Sequence, residues 1–428
     1  MPLSEVIINI SVETDQGRIV VKLSSVKGQE LFLPTRLKES NIASSYNTFY
    51  NNVAVFQKKL KKITLSDWEH VNDVMNFLYD SGVQLNFEIF GEDYRREVEQ
   101  FFKDAYPGWE SSGMNEDPPK IIELITSDER LVLPFEFLPL FNTEENIPKI
   151  NNADVLRKVA ARFPGFSTIV KRVISPYRAY ANNPPSNRQF MDTEIKNQQG
   201  LRVRHFIHAN LDGAWMEQTF FKSTSGVKYI GPWPEKELPP TDFVKMLSSI
   251  LWEGYDTNQP GQEVDHIQHF SCHCDTVKPN HTDYSIALAT KKKSLIGSNF
   301  EERMITLGDL EKKAGSAARR NNQKTYPLIF LNACGASRFN PGTISSFPGH
   351  FLEIKNRGFI GTEANIPDLE AAEFTKIFYQ RLLSQKTLGH SINLARWHFL
   401  LVRRNPVGLL YSVYANPDIT VAKPGMVA

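Results

Sequence analysis

Pro327-Leu328-Ile329-Phe330-Leu331-Asn332-Ala333-Cys334-Gly335-Ala336-Ser337 is the stretch on which the fold turns. Leu328 to Ala333, with Pro327 before it, the apolar run Leu328 to Leu331 within it and small, turn-forming residues after it, fits a strand buried on both faces. Such strands belong to parallel sheets, where crossover helices cover both sides. Working outward, strand and helix patterns alternate. Leu201 to Ala209 reads as a strand, Gly213 to Ser223 as a helix, Val227 to Ile230 as a strand, and Thr241 to Leu251 as a helix with Thr241 as its N-cap. Val264 to Ser271, Gly358 to Thr362 and Gly408 to Tyr414 are further strands. Helices from about Thr343 to Asn356, Pro367 to Ser384 and Leu388 to Arg403 lie between the later ones. The alternation predicts an α/β fold, a mostly parallel sheet with helices on both faces.

Ahead of this half the rhythm differs. Val6 to Val12 and Gly17 to Leu23 read as a hairpin, followed by helices at about Ile42 to Leu60 and Ser66 to Tyr79. Asp80-Ser81-Gly82 reads as a helix stop, Val83 to Phe90 as a strand, and Asp93 to Phe102 as another helix. Gly108 to Pro119 reads as a loop and Lys120 to Thr126 as a buried strand. Leu131 to Leu140 is an apolar run broken by Pro134 and Pro139. The Asn-, Pro- and Gln-rich stretch from Asn182 to Gly200 is the best boundary, dividing the chain into 1–195 and 196–428.

The 428 residues are 41% apolar and 23% charged with a net charge of +1, so no global field selects nucleic acid or an anionic membrane. Met1-Pro2-Leu3-Ser4-Glu5 lacks the basic and apolar regions of a signal peptide, and no apolar stretch is long enough to span a bilayer. Cys272, Cys274 and Cys334 are the three cysteines. So sparse and odd a set argues for a reducing compartment, and the expected location is the cytoplasm.

Open α/β sheets carry their sites at the carboxyl ends of their strands. Two strand ends here carry reactive groups, Cys334 and the His273 of Gln268-His269-Phe270-Ser271-Cys272-His273-Cys274-Asp275. A thiol beside an imidazole is deprotonated more easily, and the same imidazole later protonates a leaving amine. Backbone N–H groups at the strand ends, those of Cys274 and Cys334, could hold the oxyanion. Asp275, Glu363 and Asp368 are acidic candidates for a substrate pocket accepting Arg or Lys. His269 alternates onto the side of His273 and reads as a packing or orienting residue. No Cys-x-x-Cys knuckle and no Gly-rich phosphate loop occurs, so neither a metal nor another cofactor is expected.

These motifs resemble the CHAT peptidases, relatives of caspases and separases. His269-Phe270-Ser271-Cys272-His273 is similar to that family's histidine element, and Leu331-Asn332-Ala333-Cys334 to its nucleophile strand. Leu131 to Leu138, with Pro134 and Glu136, resembles the family's Leu-Pro-Trp-Glu segment. Gly358 to Thr362 and Tyr411 to Asp418 resemble later strands. The resemblance runs from about Pro119 to Thr420. It implies a caspase-like sheet preceded by a catalytically silent, pseudo-caspase-like α/β half. It also implies a cysteine endopeptidase acting on a protein substrate in a bacterial defence or cell-death pathway, under a separate activating protein. The family places glycine where this chain has Cys274. If that position needs a positive φ, the side chain would strain it and hold basal activity low. A catalytically inactive adaptor with the same fold is the alternative.

Overall fold

The computed structural model describes residues 5–38, 48, 51–53, 55, 67–112, 119–126, 131–143, 145–174, 193–196, 199–258, 263–276, 284–291, 302–314, 326–333 and 346–422. Cys334 lies outside them, as do most of the expected helix at 42–60 and the segment 175–192. The described residues form two compact units. One takes those up to Ile174 with Thr387–Val413, the other those from Thr193 to Lys386 and from Tyr414 onward.

The first unit contains strands β1 (Val6–Asp15), β2 (Arg18–Ser25), β3 (Glu30–Lys38), β4 (Lys120–Thr126) and β5 (Thr168–Ile174). Its helices are α1 (Trp68–Ala105), α2 (Ala153–Ala160) and the single turn α3 (Pro164–Ser167). The hairpin of β1 and β2 forms as expected, and β3 adds antiparallel to β2. β4 lies parallel to both β1 and β5.

α1 overturns two expectations at once. It runs through Asp80-Ser81-Gly82 and through the expected strand at 83–90, and kinks only at Gly91, which has φ 72°. Val71, Met75, Leu78, Gly82, Leu85 and Ile89 all face inward at helical spacing. Gly82 is therefore an approach point and not a stop. A Cβ there would lie 2.4 Å from the Phe137 carbonyl oxygen. Glycine costs a helix about 1 kcal/mol against alanine, and the apolar stripe on either side outweighs that. Asp67 caps the helix, its carboxylate accepting from the His70 N–H at 2.9 Å. The run from Leu131 contains a 3-10 turn, Phe135–Phe137, and no strand. Its Glu136 makes a fully buried bidentate pair with Arg172 of β5, at 3.0 and 2.7 Å.

The second unit holds β6 (Glu194–Ile195), β7 (Leu201–Ile207), β8 (Val227–Trp233), β9 (Ile267–Thr276), β10 (Tyr284–Leu288), β11 (Arg303–Thr306), β12 (Leu328–Ala333) and β13 (Gly358–Thr362). Its helices are α4 (Asp212–Ser223), α5 (Pro240–Glu253), α6 (Leu307–Ala314), α7 (Phe347–Glu353) and α8 (Asp368–Leu383). α5 begins at Pro240, so Thr241 lies inside the helix and is not its cap. The chain closes with α9 (Leu388–Val402), a 3-10 turn at Pro406–Leu410, β14 (Tyr411–Ala415) and β15 (Thr420–Val421). The expected strand at 408–414 thus starts three residues late. Val413 of β14 aligns with Lys171 of β5, and β15 pairs with β6.

In this unit β8, β7, β9, β12 and β13 are parallel and hydrogen-bonded in that order. The apolar run reads out as β12, which is buried throughout. Helices cover both faces. His269 and Ser271 of β9 point to α4, while Gln268 bonds the Ile250 carbonyl of α5. On the α5 side Phe206 stacks on Phe270, and Trp233 bridges Phe206 and Phe243. The fold is mixed α/β with a mostly parallel sheet, as the sequence pattern requires. Among the described residues no helix is long and apolar enough to cross a membrane.

Candidate active site

β9 and β12 run side by side, with Asn332 opposite Ser271 and Ala333 opposite Cys272. One carboxylate fastens this register. Glu217 of α4 accepts from the Asn332 side-chain amide through Oε1 (2.7 Å) and from His269 Nε2 through Oε2 (2.9 Å). Its Oε2 also takes the Ser271 hydroxyl. His205 of β7 lies 2.8 Å from the Ser271 oxygen and 3.6 Å from Glu217 Oε2. The longer approach is electrostatic and is not a hydrogen bond. Tyr379 of α8 reaches His269 Nδ1 at 3.2 Å, and Thr375 accepts from Asn332 at 3.1 Å. This network is buried, and Glu217 is 2% exposed.

Burial by itself would raise the Glu217 carboxyl. The His269 charge, the hydrogen bond from His269 and the nearby His205 outweigh it and hold the group well below the ordinary range. Burial pulls the His205 imidazole down to about 4, and drives the Tyr379 phenol well above its usual value. Sequence reading placed His269 as an orienting residue but had no signal for Glu217, His205 or Tyr379. Helical and strand spacing show which side a residue faces, not which distant side chain it meets.

His273 lies within β9 and not beyond its end, because β9 continues to Thr276 by pairing with the antiparallel β10. Its register partner there is Ala287. The strand was expected to stop at Ser271 because β10 has no local signature. His273 is half-buried, and its ring meets His208 edge-on with centroids 4.4 Å apart. His208 follows β7, donates its backbone N–H to the Ser271 carbonyl (2.8 Å), and bonds Glu302 through Nε2 at 2.9 Å. Burial, then the nearby His273 charge, lowers the His208 imidazole against the raising effect of Glu302.

Cys274 is buried and extended, opposite Ile286 of β10. It is not among the residues with positive φ. The premise that a side chain strains this position is therefore corrected, since an extended strand suits any residue with a Cβ. Cys274→Gly is expected to leave cleavage no higher and to destabilise the chain by about 1 kcal/mol or more, from strand entropy and lost burial. Thermal unfolding and a peptidase assay on the same preparation check this, and higher activity in the glycine variant would restore the strain account.

Glu363 is fully buried directly after β13. Asp368 opens α8 and accepts from the Gly213 N–H at 3.1 Å, joining that helix to α4. The backbone of Asp275 pairs with Ser285, and its side chain lies outside the described residues.

No family model matches the chain, and no curated protein matches it. Similar solved structures include two crystal structures of the Saccharomyces cerevisiae separase–securin complex, at 2.6 and 3.0 Å. They share 10% and 9% identity with TM-scores of 0.44 and 0.45, and cover 97% and 98% of this chain. The match takes in only 30% of the length of each of those chains. A likeness this distant carries no residue-level correspondence.

Proposed function

We propose that the chain is a cysteine endopeptidase with Cys334 as nucleophile and His273 as base, acting on a protein substrate. The observation that carries this reading is the pairing of Ala333 with Cys272 across two adjacent parallel strands. Each proposed catalytic residue is the next in its chain, one Cα step of about 3.8 Å onward. Parallel neighbours lie about 4.8 Å apart, so a register continued one residue beyond Ala333 would bring the thiol and the imidazole to one place on one face. Cys334 gives its proton to His273 and attacks the peptide carbonyl carbon. The amine leaves with that proton, and a water deprotonated by His273 then hydrolyses the thioester. The N–H groups of Cys334 and Cys274 are the proposed oxyanion donors. Of the acidic candidates, we keep Asp275 for substrate recognition. The bacterial defence or cell-death setting rests on the motif resemblance alone.

An electrophilic peptide probe tests the activated thiol. Cys272 and Cys274 are 2% and 6% exposed, so a packed chain protects both. Peptide mapping is expected to find the probe on Cys334. Labelling confined to the other two, or none, would favour the adaptor reading.

A further inference from the structure

We propose that His208, His273 and Glu302 form a reversible binding site for zinc, and that occupancy removes His273 from catalysis. The second clause rests on the peptidase reading, and the first does not.

The three side chains come from different places, the exit of β7, the middle of β9 and the residue before β11, and meet because β10 joins them. β10 pairs with β9 at His273 and with β11 at Arg303, while the Ala289 N–H bonds the Ile207 carbonyl. Their ligand atoms all lie within 4.8 Å of one another. Tetrahedral zinc with bonds of 2.0–2.2 Å sets its ligand atoms about 3.4 Å apart. The pair His208 Nε2 and Glu302 Oε1, at 2.9 Å, is already inside that span. A small rotation of His273 completes the set. Two imidazoles with one carboxylate suit zinc in preference to calcium or magnesium, which take oxygen ligands. The Glu302 side chain is 43% exposed, which provides an entry and leaves a fourth position for water. On binding, the proton on His208 Nε2 moves to Nδ1, which gives up a long bond (3.4 Å) from the Asn210 N–H.

A second cluster, His205, Glu217 and His269, has similar spacing. It is fully buried, and both oxygens of Glu217 are already taken by Asn332, His269 and Ser271. That cluster is structural, with no approach for an ion. The first cluster is the one open to solvent.

The experiment is calorimetric titration of zinc chloride into the full chain and its variants, with peptidase assays in zinc and in chelator. Wild type is expected to bind one zinc per chain. Glu302→Gln, which keeps a hydrogen-bond acceptor for His208, and His208→Ala should each weaken binding by at least about 10–100-fold. Cys334→Ser should bind as wild type does. Zinc should inhibit wild type reversibly, and Glu302→Gln should stay active at the same zinc concentration. Undiminished binding in Glu302→Gln overturns the site. Binding lost in Cys334→Ser also overturns it, because the ion would then sit on the dyad itself. Zinc bound through these residues by a chain with no peptidase activity would support the site and sink the peptidase reading instead. Activity unaffected by bound zinc would overturn the inhibitory role.

Discussion

Cys334→Ala and His273→Ala are each expected to reduce peptide-bond cleavage on the order of 10⁴-fold or more, while the unfolding midpoint stays close to that of wild type. The magnitude follows from how such pairs work. Either residue alone leaves only substrate positioning and the oxyanion donors, so single losses cost nearly as much as the double loss. The stability half follows from position. His273 is half-buried, and it is not part of the Glu217 network that fastens β9 to β12. Cleavage of a protein substrate, read by gel and by N-terminal sequencing of the product, is compared among wild type, each single variant and the double variant. The double variant should be no worse than either single one. Retained cleavage in Cys334→Ala would remove the proposed nucleophile, and additive losses would mean that the two residues do not act as a unit.

Glu217→Ala is expected to cost about 3–5 kcal/mol, because it leaves Asn332, His269 and Ser271 as buried donors facing a void. Denaturant unfolding reads this directly, and a loss below about 1 kcal/mol, the worth of one ordinary hydrogen bond, would show that the carboxylate is not the clamp. The same network gives stability a pH dependence whose sign can be worked out. The His205 imidazole falls from 6.5 unfolded to about 4 folded. As pH drops through 6.5 the unfolded chain takes a proton that the folded chain refuses, so stability is lost from 6.5 down to about 4. The folded Glu217 carboxyl lies below its unfolded value of 4.5. Its contribution is present above 4.5 and is lost as pH falls further. The histidine part amounts to about 3 kcal/mol at most. His205→Gln should flatten the upper window and weaken the lower one, which His269 still sustains.

What the sequence determined by itself is what depends on near neighbours. Leu328 to Leu331 and Gly358 to Thr362 are short continuous apolar or small runs, and their length and flanking turn residues favour strands covered on both sides over helices. The helices that separate the later strands have the spacing to supply the cover. That sufficed for the α/β class, and for β12 and β13 with the expected ends. The 3.6-residue stripe through Gly82 was also legible in principle, from Val71 to Ile89. The glycine was read as punctuation because sequence does not show what lies opposite it. Only the tertiary structure decided that Phe137 packs there, that β10 prolongs β9 past His273, and that Glu217 bonds two residues facing each other across β9 and β12. His208, His273 and Glu302 meet for the same reason. Apart from the β9–β10 pairing, whose partners are 8 to 14 positions apart, these contacts join residues tens of positions apart, where chain spacing carries no information. Strand pairing and the burial of one carboxylate among several donors choose the partners instead.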